Sequence, residues 1–554
     1  MNQPTSLPDP EPQGFPVSSA DPASDLNRGA ETPKPAPSEA IGKKVGTGVS
    51  LNISLTVFLR GISFASQFVL AYFLTAADFG LNTTAVTIAI LAGVFRDLGL
   101  AEWIVQKGAR HYHETISSIF WLCLTINCAL GVVVAALAPL IAWKMDEPQL
   151  LWMTLCVAAS FPLGTLGTTL AARLRIELRF KEVLWMTGGS AILRYIGSMA
   201  FAWMGFGALS FVLPLPLFAL YESAIMLALV RQPIWKGGAR PALWAGIARA
   251  SKWNLIGTAS MALLNVGDYA LLSGRMDKGQ LGLYFFAYQL VAMTGAILAN
   301  NVGMVMYPAI ARLKDEPERM RAAAGRSARA IMLLSAPASV GVGVIMQPTE
   351  ALVWNGRWAT AVVPVLIFAA LYPIRACMSA SQAVLMGAGR FKRNALLNMA
   401  VGVALMVCAF VCTMPEVYQW EPIARWTMAA ADDGEATPSA VGVAATIGVV
   451  RALACIVAIG ISLATIQLGW LRMLRLMLPS WIISVAIGGG CLWADHHVLA
   501  AWHPAARIFL LGTGFGLGFV LAMRCLSPGT MADALSILPT RVSLLATRLL
   551  LLRS

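Results

Sequence analysis

The sequence predicts an all-α polytopic membrane protein with about 14 transmembrane helices, set in two pseudo-symmetric six-helix bundles plus two extra C-terminal helices. Three observations predict it. The first is composition: 58% of the residues are hydrophobic and 12% charged, with a mean hydropathy of +0.69. Soluble chains carry about 25% charged residues, so lipid must be the solvent for most of this chain. The second is run length. A span needs about 20 mostly apolar residues, and the long unbroken runs here exclude barrel strands, which alternate over about 10. The third is the placement of charge. With the N-terminus taken as cytoplasmic, 30 of the 41 Lys and Arg fall in loops and tails on that side, six in the opposite loops and five inside spans. That asymmetry follows the positive-inside rule and puts both termini in the cytoplasm.

The elements follow in order. Residues 1–46 hold nine of the 29 prolines and few bulky apolar groups, so they are expected to be a disordered cytoplasmic tail. The tail lacks the apolar core of a signal peptide. Residues 47–232 form the first six-helix bundle, with spans at 48–75, 81–105, 114–143, 150–172, 183–203 and 207–230. Residues 233–468 form the second, with spans at 253–272, 281–310, 330–347, 360–387, 395–413 and 439–468. Residues 469–527 add two helices, 476–494 and 508–523, and residues 528–554 are an amphipathic cytoplasmic tail. The longest exterior loop is 414–438.

Short echoes mark the repeat. Phe79-Gly80-Leu81 matches Leu281-Gly282-Leu283, Asp97-Leu98-Gly99 matches Asn301-Val302-Gly303, and Arg179-Phe180-Lys181 matches Arg390-Phe391-Lys392. They fall at corresponding places in the two bundles, which are therefore read as parallel repeats about an axis along the membrane normal. Repeated halves with a site between them are a common plan for secondary transporters.

Several function classes are excluded. The nine cysteines contain no CxxC pair, and all lie in or beside apolar runs, so they read as core residues. The five histidines are expected in loops, and "DHH" at 495–497 reads as a solvated loop. No HExxH, GxSxG or Walker A pattern occurs, and neither a metal nor another cofactor is expected. The net charge of +13 is explained by membrane topology without nucleic acid.

Polar residues inside a bilayer are costly and face protein or water. Thr56, Arg60, Ser63 and Gln67 share one face of the first span, and Arg375, Ser379 and Gln382 share one face of the tenth. The seventh carries Asn254, Asn265 and Asp268, the second Arg96 and Asp97, and the eighth Asn300 and Asn301 with Tyr284 and Tyr288. Arginine offers a planar charged fork to phosphate oxygens, and Asn, Gln and Ser suit sugar hydroxyls. A substrate cavity is therefore expected at Arg60, Arg96, Arg375, Gln67, Asn265, Asn300, Asn301 and Gln382. Arg60, Arg96 and Asp97 fit an ion-pair cluster equally well. Asp268 and Asp97 are candidate coupling carboxylates, and hydrogen bonding within the fold or substrate contact would also account for Asp268. The tyrosines suit packing or a sugar platform. Arg194 and Glu222 are expected to form a structural pair at similar depth. Arg451 belongs to neither stripe.

The passages "TAADFGL", "RDLGLAEWIVQK", "LRIELRFKEV", "GDYALLSGRMDKGQLGLYFFAYQL" and "NNVGMVMYPAIARL" resemble Wzx-type oligosaccharide flippases. These form the polysaccharide-transporter branch of the multidrug/oligosaccharidyl-lipid/polysaccharide superfamily, and the chain looks most similar to the colanic-acid and succinoglycan type. The resemblance runs over residues 47–395 and more loosely to 525. It implies two six-helix lobes in a V with two further helices. It also implies that an undecaprenyl-pyrophosphate-linked repeat unit is flipped from the inner to the outer leaflet of a bacterial inner membrane. The implied partners are that lipid-linked oligosaccharide, membrane lipids and polysaccharide polymerase or export machinery. A cationic cavity is implied too, in line with Arg60 and Arg375. The proline-rich tail and the 414–438 loop depart from the family pattern. A drug or metabolite antiporter of the same superfamily is the alternative reading. A membrane polymerase or ligase fits less well, because such enzymes carry a large exterior loop.

Overall fold

The computed structural model describes residues 38–96, 109–177, 179–231, 233–313, 316–430 and 436–527. The two expected tails and Asp97 fall outside them, apart from residues 38–46. Among the described residues, fourteen long helices organise the fold. In chain order the first eleven are α1 (Ser38–Phe73), α2 (Ala76–Gly93), α3 (Ala109–Lys144), α4 (Pro148–Ile176), α5 (Phe180–Trp203), α6 (Pro214–Val230), α7 (Pro241–Leu272), α8 (Lys278–Arg312), α9 (Pro317–Val353), α10 (Val362–Gly387) and α11 (Phe391–Cys412). Two short helices follow, α12 (Pro415–Tyr418) and α13 (Glu421–Thr427), and then α14 (Ala440–Ala464), α15 (Trp470–His497) and α16 (Pro504–Leu526).

Among the described residues, eleven helical stretches are long and apolar enough to cross a membrane, and the chain is a multi-pass membrane protein. Helices α1, α5 and α8 fall outside that set.

The residues at the helix ends explain the breaks. Thr75 and Asp78 form a capping box that stops α1 and starts α2: Asp78 N–H donates to Thr75 Oγ1 at 3.2 Å, and Thr75 N–H donates to Asp78 Oδ2 at 2.8 Å. Prolines at the first turn begin α6, α7, α9 and α16, where the missing N–H is harmless. The Arg-Phe-Lys echo has a structural counterpart. Arg179 caps α5 at φ −84°, ψ 64°, and Arg390 caps α11 at φ −91°, ψ 49°, each followed by a phenylalanine that opens the helix. In the α4–α5 turn, burial raises the Glu177 carboxyl, but the guanidiniums of Arg173 and Arg179 outweigh it and hold it below the usual range.

The other echo also has a physical cause. Gly80 on α2 and Gly282 on α8 lie at a crossing with backbone-to-backbone contact. A Cβ on Gly80 would sit 2.0 Å from the Lys278 carbonyl oxygen, and one on Gly282 would sit 1.8 Å from that of Ala76. Only glycine permits this approach. Around the crossing Phe79, Phe286 and Trp358 pack edge to face or tilted. The turn after α9 grips the end of α1. Trp354 Nε1 donates to Phe68 O at 3.3 Å, Trp358 Nε1 to Ala71 O at 2.8 Å and Arg357 Nη1 to Tyr72 O at 2.7 Å. The last carbonyls of a helix need such donors.

Two sequence expectations are corrected, and the 414–438 loop gains internal structure. The 414–438 segment is ordered over its described residues, as α12, α13 and a hairpin pairing β1 (Met428–Ala430) with β2 (Ala436–Pro438). Thr427 Oγ1 donates to Tyr418 O at 2.6 Å and Ser439 Oγ to Trp426 O at 2.6 Å, which folds the segment back on itself. His111, His113, His496 and His497 lie within helices rather than loops, and His503 caps α16. Several helices outrun their apolar cores, most clearly α7 and α9, because polar residues at membrane ends still propagate a helix.

Candidate functional site

A cavity of about 680 Å³ lies between α1, α2, α5, α7, α8 and α10. Arg60 of α1, Arg194 of α5 and Arg375 of α10 line it, and no carboxylate does among the described residues. Gln67, Asn82, Asn265, Gln289 and Gln382 add carboxamides, and Ser63, Ser66, Ser198 and Ser379 add hydroxyls. Tyr195, Tyr269, Tyr288 and Tyr372 complete the polar wall.

Helix geometry places these groups. Arg60 lies thirteen residues before the end of α1 and Arg375 thirteen after the start of α10. At 1.5 Å per residue both sit about 20 Å from the same end of the bundle, near mid-membrane. Arg375 Nη2 donates to Asn265 Oδ1 at 3.1 Å, and Gln382 Nε2 donates to Asn398 Oδ1 at 2.9 Å. Pro373, two residues before Arg375, cannot donate a backbone hydrogen bond to Ala369, which loosens α10 beside the guanidinium. Five of the expected cavity residues therefore come together: Arg60, Arg375, Gln67, Asn265 and Gln382.

The others are placed differently. Arg96 is turned towards α4: its Nη2 would lie 2.9 Å from a Cβ on Gly164, and its carbonyl accepts from Asn127 Nδ2 at 3.1 Å. Asn300 and Asn301 are helical, and their side chains lie outside the described ones. Arg194 and Glu222 do not form the expected ion pair. Helix α5 turns Arg194 into the cavity, its guanidinium 5.8 Å from the Tyr195 ring, whereas α6 carries Glu222 against Gly167 of α4. Similar depth in two helices does not fix which way each faces.

Asp268 has a partner that the sequence did not reveal. It is fully buried, and Arg451 of α14 meets it with Nη2 at 2.6 Å from Oδ2. Tyr284 donates its hydroxyl to the same oxygen at 2.7 Å. Arg451 Nη1 donates to the Tyr288 hydroxyl at 2.8 Å, and its guanidinium lies 4.6 Å from that ring. The cluster ties α7, α8 and α14 together behind the cavity wall, which Tyr269 and Tyr288 reach. Both residues were visible as intramembrane charges of opposite sign, and that was the available signal. Their separation of 183 positions hid the pairing.

Comparisons agree with this architecture. A family model described as "Polysaccharide biosynthesis protein" matches residues 69–363. The lipopolysaccharide biosynthesis protein WzxC of Escherichia coli (strain K12) is 23% identical over 348 residues, which cover 59% of this chain and 66% of WzxC. The chain thus matches just under two thirds of that relative's length. The teichuronic acid biosynthesis protein TuaB of Bacillus subtilis (strain 168) is 22% identical over 353 residues, covering 63% of this chain and 73% of TuaB. Among solved structures, the lipid II flippase MurJ in an inward closed conformation superposes with a TM-score of 0.65 at 12% identity, covering 86% of this chain and 99% of MurJ. An inward-facing multidrug resistance MATE family transporter of the MOP superfamily superposes at 0.51 and 13% identity, covering 74% of this chain and 94% of that one. These likenesses show that the chain shares the fold of MurJ and of that MATE transporter, and the family match spans more than half of the sequence: the chain belongs to the polysaccharide biosynthesis protein family.

Proposed function

We propose that the protein is a flippase for a lipid-linked oligosaccharide and works by alternating access between two six-helix lobes. One observation carries the reading: a mid-membrane cavity lined by three guanidiniums and no carboxylate among the described residues. Such a wall selects an anion, and guanidinium forks match phosphate oxygens. The carboxamides and hydroxyls around it suit sugar hydroxyls. In this reading Arg60 and Arg375 hold an undecaprenyl pyrophosphate, the glycan fills the polar cavity, and the polyprenyl chain stays in the bilayer. Transport runs from the inner to the outer leaflet of a bacterial inner membrane, with both termini cytoplasmic as the basic loops suggest. A polymerase or exporter would then take up the product. Bound ligand acts by shifting the inward and outward populations. The roles of WzxC and TuaB in polysaccharide pathways and of MurJ with lipid II support this reading. The wall's charge disfavours an antiporter of cationic drugs. Asp268, already matched by Arg451, serves the fold in this account rather than ion coupling.

The test is export in a strain lacking the chromosomal copy. Wild type restores surface polysaccharide, while Arg60→Ala and Arg375→Ala insert normally and export little. Normal export by the double variant Arg60→Ala/Arg375→Ala would remove the basis of the proposal.

A further inference from the structure

Helices α15 and α16 stand outside the cavity and pack along α9. Leu333 of α9 meets the cluster of Ile483 from α15 with Phe519 and Met523 from α16. Beyond that cluster, towards the end of the bundle that carries the basic loops, the three helices gather charge of one sign. Residues 320–330, 469–480 and 520–527 hold six arginines and no Asp or Glu. Helix geometry brings three of them to one seam. Arg326 lies two turns before Leu333 on the same face of α9, about 10 Å away along the axis. Its neighbour Gly325 faces α15, where a Cβ would stand 3.2 Å from Leu476 Cδ1. Arg472 lies one turn before Leu476 on that same face of α15. Arg524 follows Met523 directly, in the last turn of α16. Arg326 and Arg472 are exposed and Arg524 is half-buried, and none of the three makes an ion pair among the described residues. No side chain caps the first turn of α15, so its N–H groups add partial positive charge at the same place. The positive-inside rule accounts for the sign of these residues. It does not account for their convergence where two helices pack on a third.

We infer that this seam binds the headgroup of an anionic phospholipid, with its phosphate on Arg326, Arg472 and Arg524. Guanidinium forks match phosphate oxygens, and basic pockets between spanning helices at this kind of membrane face suit such headgroups. A lipid fits better than a soluble phosphate because apolar surface continues from the charge. Leu517 and Leu521 lie two turns and one turn before Arg524 on its own face of α16, and both are more than half exposed. Acyl chains lie along them while the phosphate meets the arginines. The bound lipid joins α9, α15 and α16 through charge at one end, as the Asp495–Arg507 bridge joins α15 to α16 at the other. The site is separate from the cavity and does not depend on what the cavity carries.

The experiment titrates the full-length protein in detergent with phosphatidylglycerol or with phosphatidylcholine of the same acyl chains, and reads occupancy by native mass spectrometry. Wild type should bind phosphatidylglycerol at least about thirtyfold more tightly than phosphatidylcholine. Arg326→Gln/Arg524→Gln should remove about thirtyfold of that affinity, the equivalent of about 1 kcal/mol for each arginine near the surface, and leave phosphatidylcholine binding unchanged. Arg326→Lys/Arg524→Lys, which keeps the charge, should retain most of the preference. Arg231→Gln/Arg240→Gln removes the same charge at the same end but away from the seam, and should leave the preference intact. Inorganic phosphate at the lipid's concentration should not displace phosphatidylglycerol. Equal binding of the two lipids by wild type would overturn the inference, as would a preference that survives Arg326→Gln/Arg524→Gln. A loss just as large in Arg231→Gln/Arg240→Gln would show a general charge effect in place of a site. Displacement by inorganic phosphate would show a soluble anion as the occupant, and either result rejects the lipid site.

Discussion

Replacing Arg451 with methionine isolates what the buried pair contributes. The substitution keeps an unbranched side chain of similar length and removes the guanidinium. Asp268 then stays fully buried with only the Tyr284 hydroxyl on its Oδ2, and the Tyr288 hydroxyl loses its donor. Two unit charges about 4 Å apart at an effective dielectric constant of about 20 attract by about 4 kcal/mol. Breaking a buried pair by removing one partner typically costs about 3–5 kcal/mol, because the survivor is left uncompensated. The expected loss for Arg451→Met is therefore about 4 kcal/mol. Asp268→Leu should cost a similar amount, since it strands the guanidinium. The double variant Asp268→Leu/Arg451→Met strands neither and should recover most of the loss, as apolar replacements of whole buried pairs often do. The assay is reversible unfolding of the four proteins in mixed micelles, read as a double-mutant cycle. A coupling energy of several kcal/mol is expected. Additive losses, or a silent Arg451→Met, would show that the pair does not act as one unit and that Asp268 is free for another role.

Three more outcomes follow from single contacts. Gly282→Ala places a methyl 1.8 Å from the Ala76 carbonyl oxygen, so α2 and α8 must separate; a loss of about 1–3 kcal/mol in thermal unfolding is expected, as for other overpacked sites. Trp358→Phe removes the 2.8 Å bond to Ala71 O and should cost about 1 kcal/mol, seen as roughly fivefold faster hydrogen exchange in the last turn of α1. Asp495→Asn weakens the bidentate bridge to Arg507, with bonds of 2.8 and 2.7 Å, and should lower stability by about 1.5–3 kcal/mol while export continues, because the bridge joins α15 to α16 away from the cavity.

Much of the fold was legible because lipid imposes a simple code. A long apolar run must be a helix there, since every backbone group has to be satisfied within the segment. Helix ends were harder to read: α9 begins at Pro317, well before its apolar stretch, because basic residues outside the membrane extend a helix without hydrophobic cost. The cavity was partly legible for a related reason. Arg60 and Gln67, or Arg375 and Gln382, are polar where polarity is expensive, and their spacing puts them on one face. Spacing within a helix says nothing about rotation between helices, and there the reading failed. Arg194 was assigned to Glu222 from depth alone, and Arg451 had no assignment, although it holds Asp268 from a helix far along the chain. The Gly80 and Gly282 echo signals repetition in the sequence, and only the packed helices show that the two glycines meet across the bundle.

The most direct test of the account is translocation by purified protein in liposomes. An undecaprenyl-pyrophosphate-linked oligosaccharide is loaded on one leaflet, and its arrival on the other is followed enzymatically. The account predicts transfer by wild type, a loss of transfer in Arg60→Ala/Arg375→Ala, and transfer retained in Asp268→Leu/Arg451→Met once that protein is shown to be folded. Transfer by the arginine double variant at the wild-type rate would contradict the central claim that the guanidinium-lined cavity is where the lipid-linked anion is held.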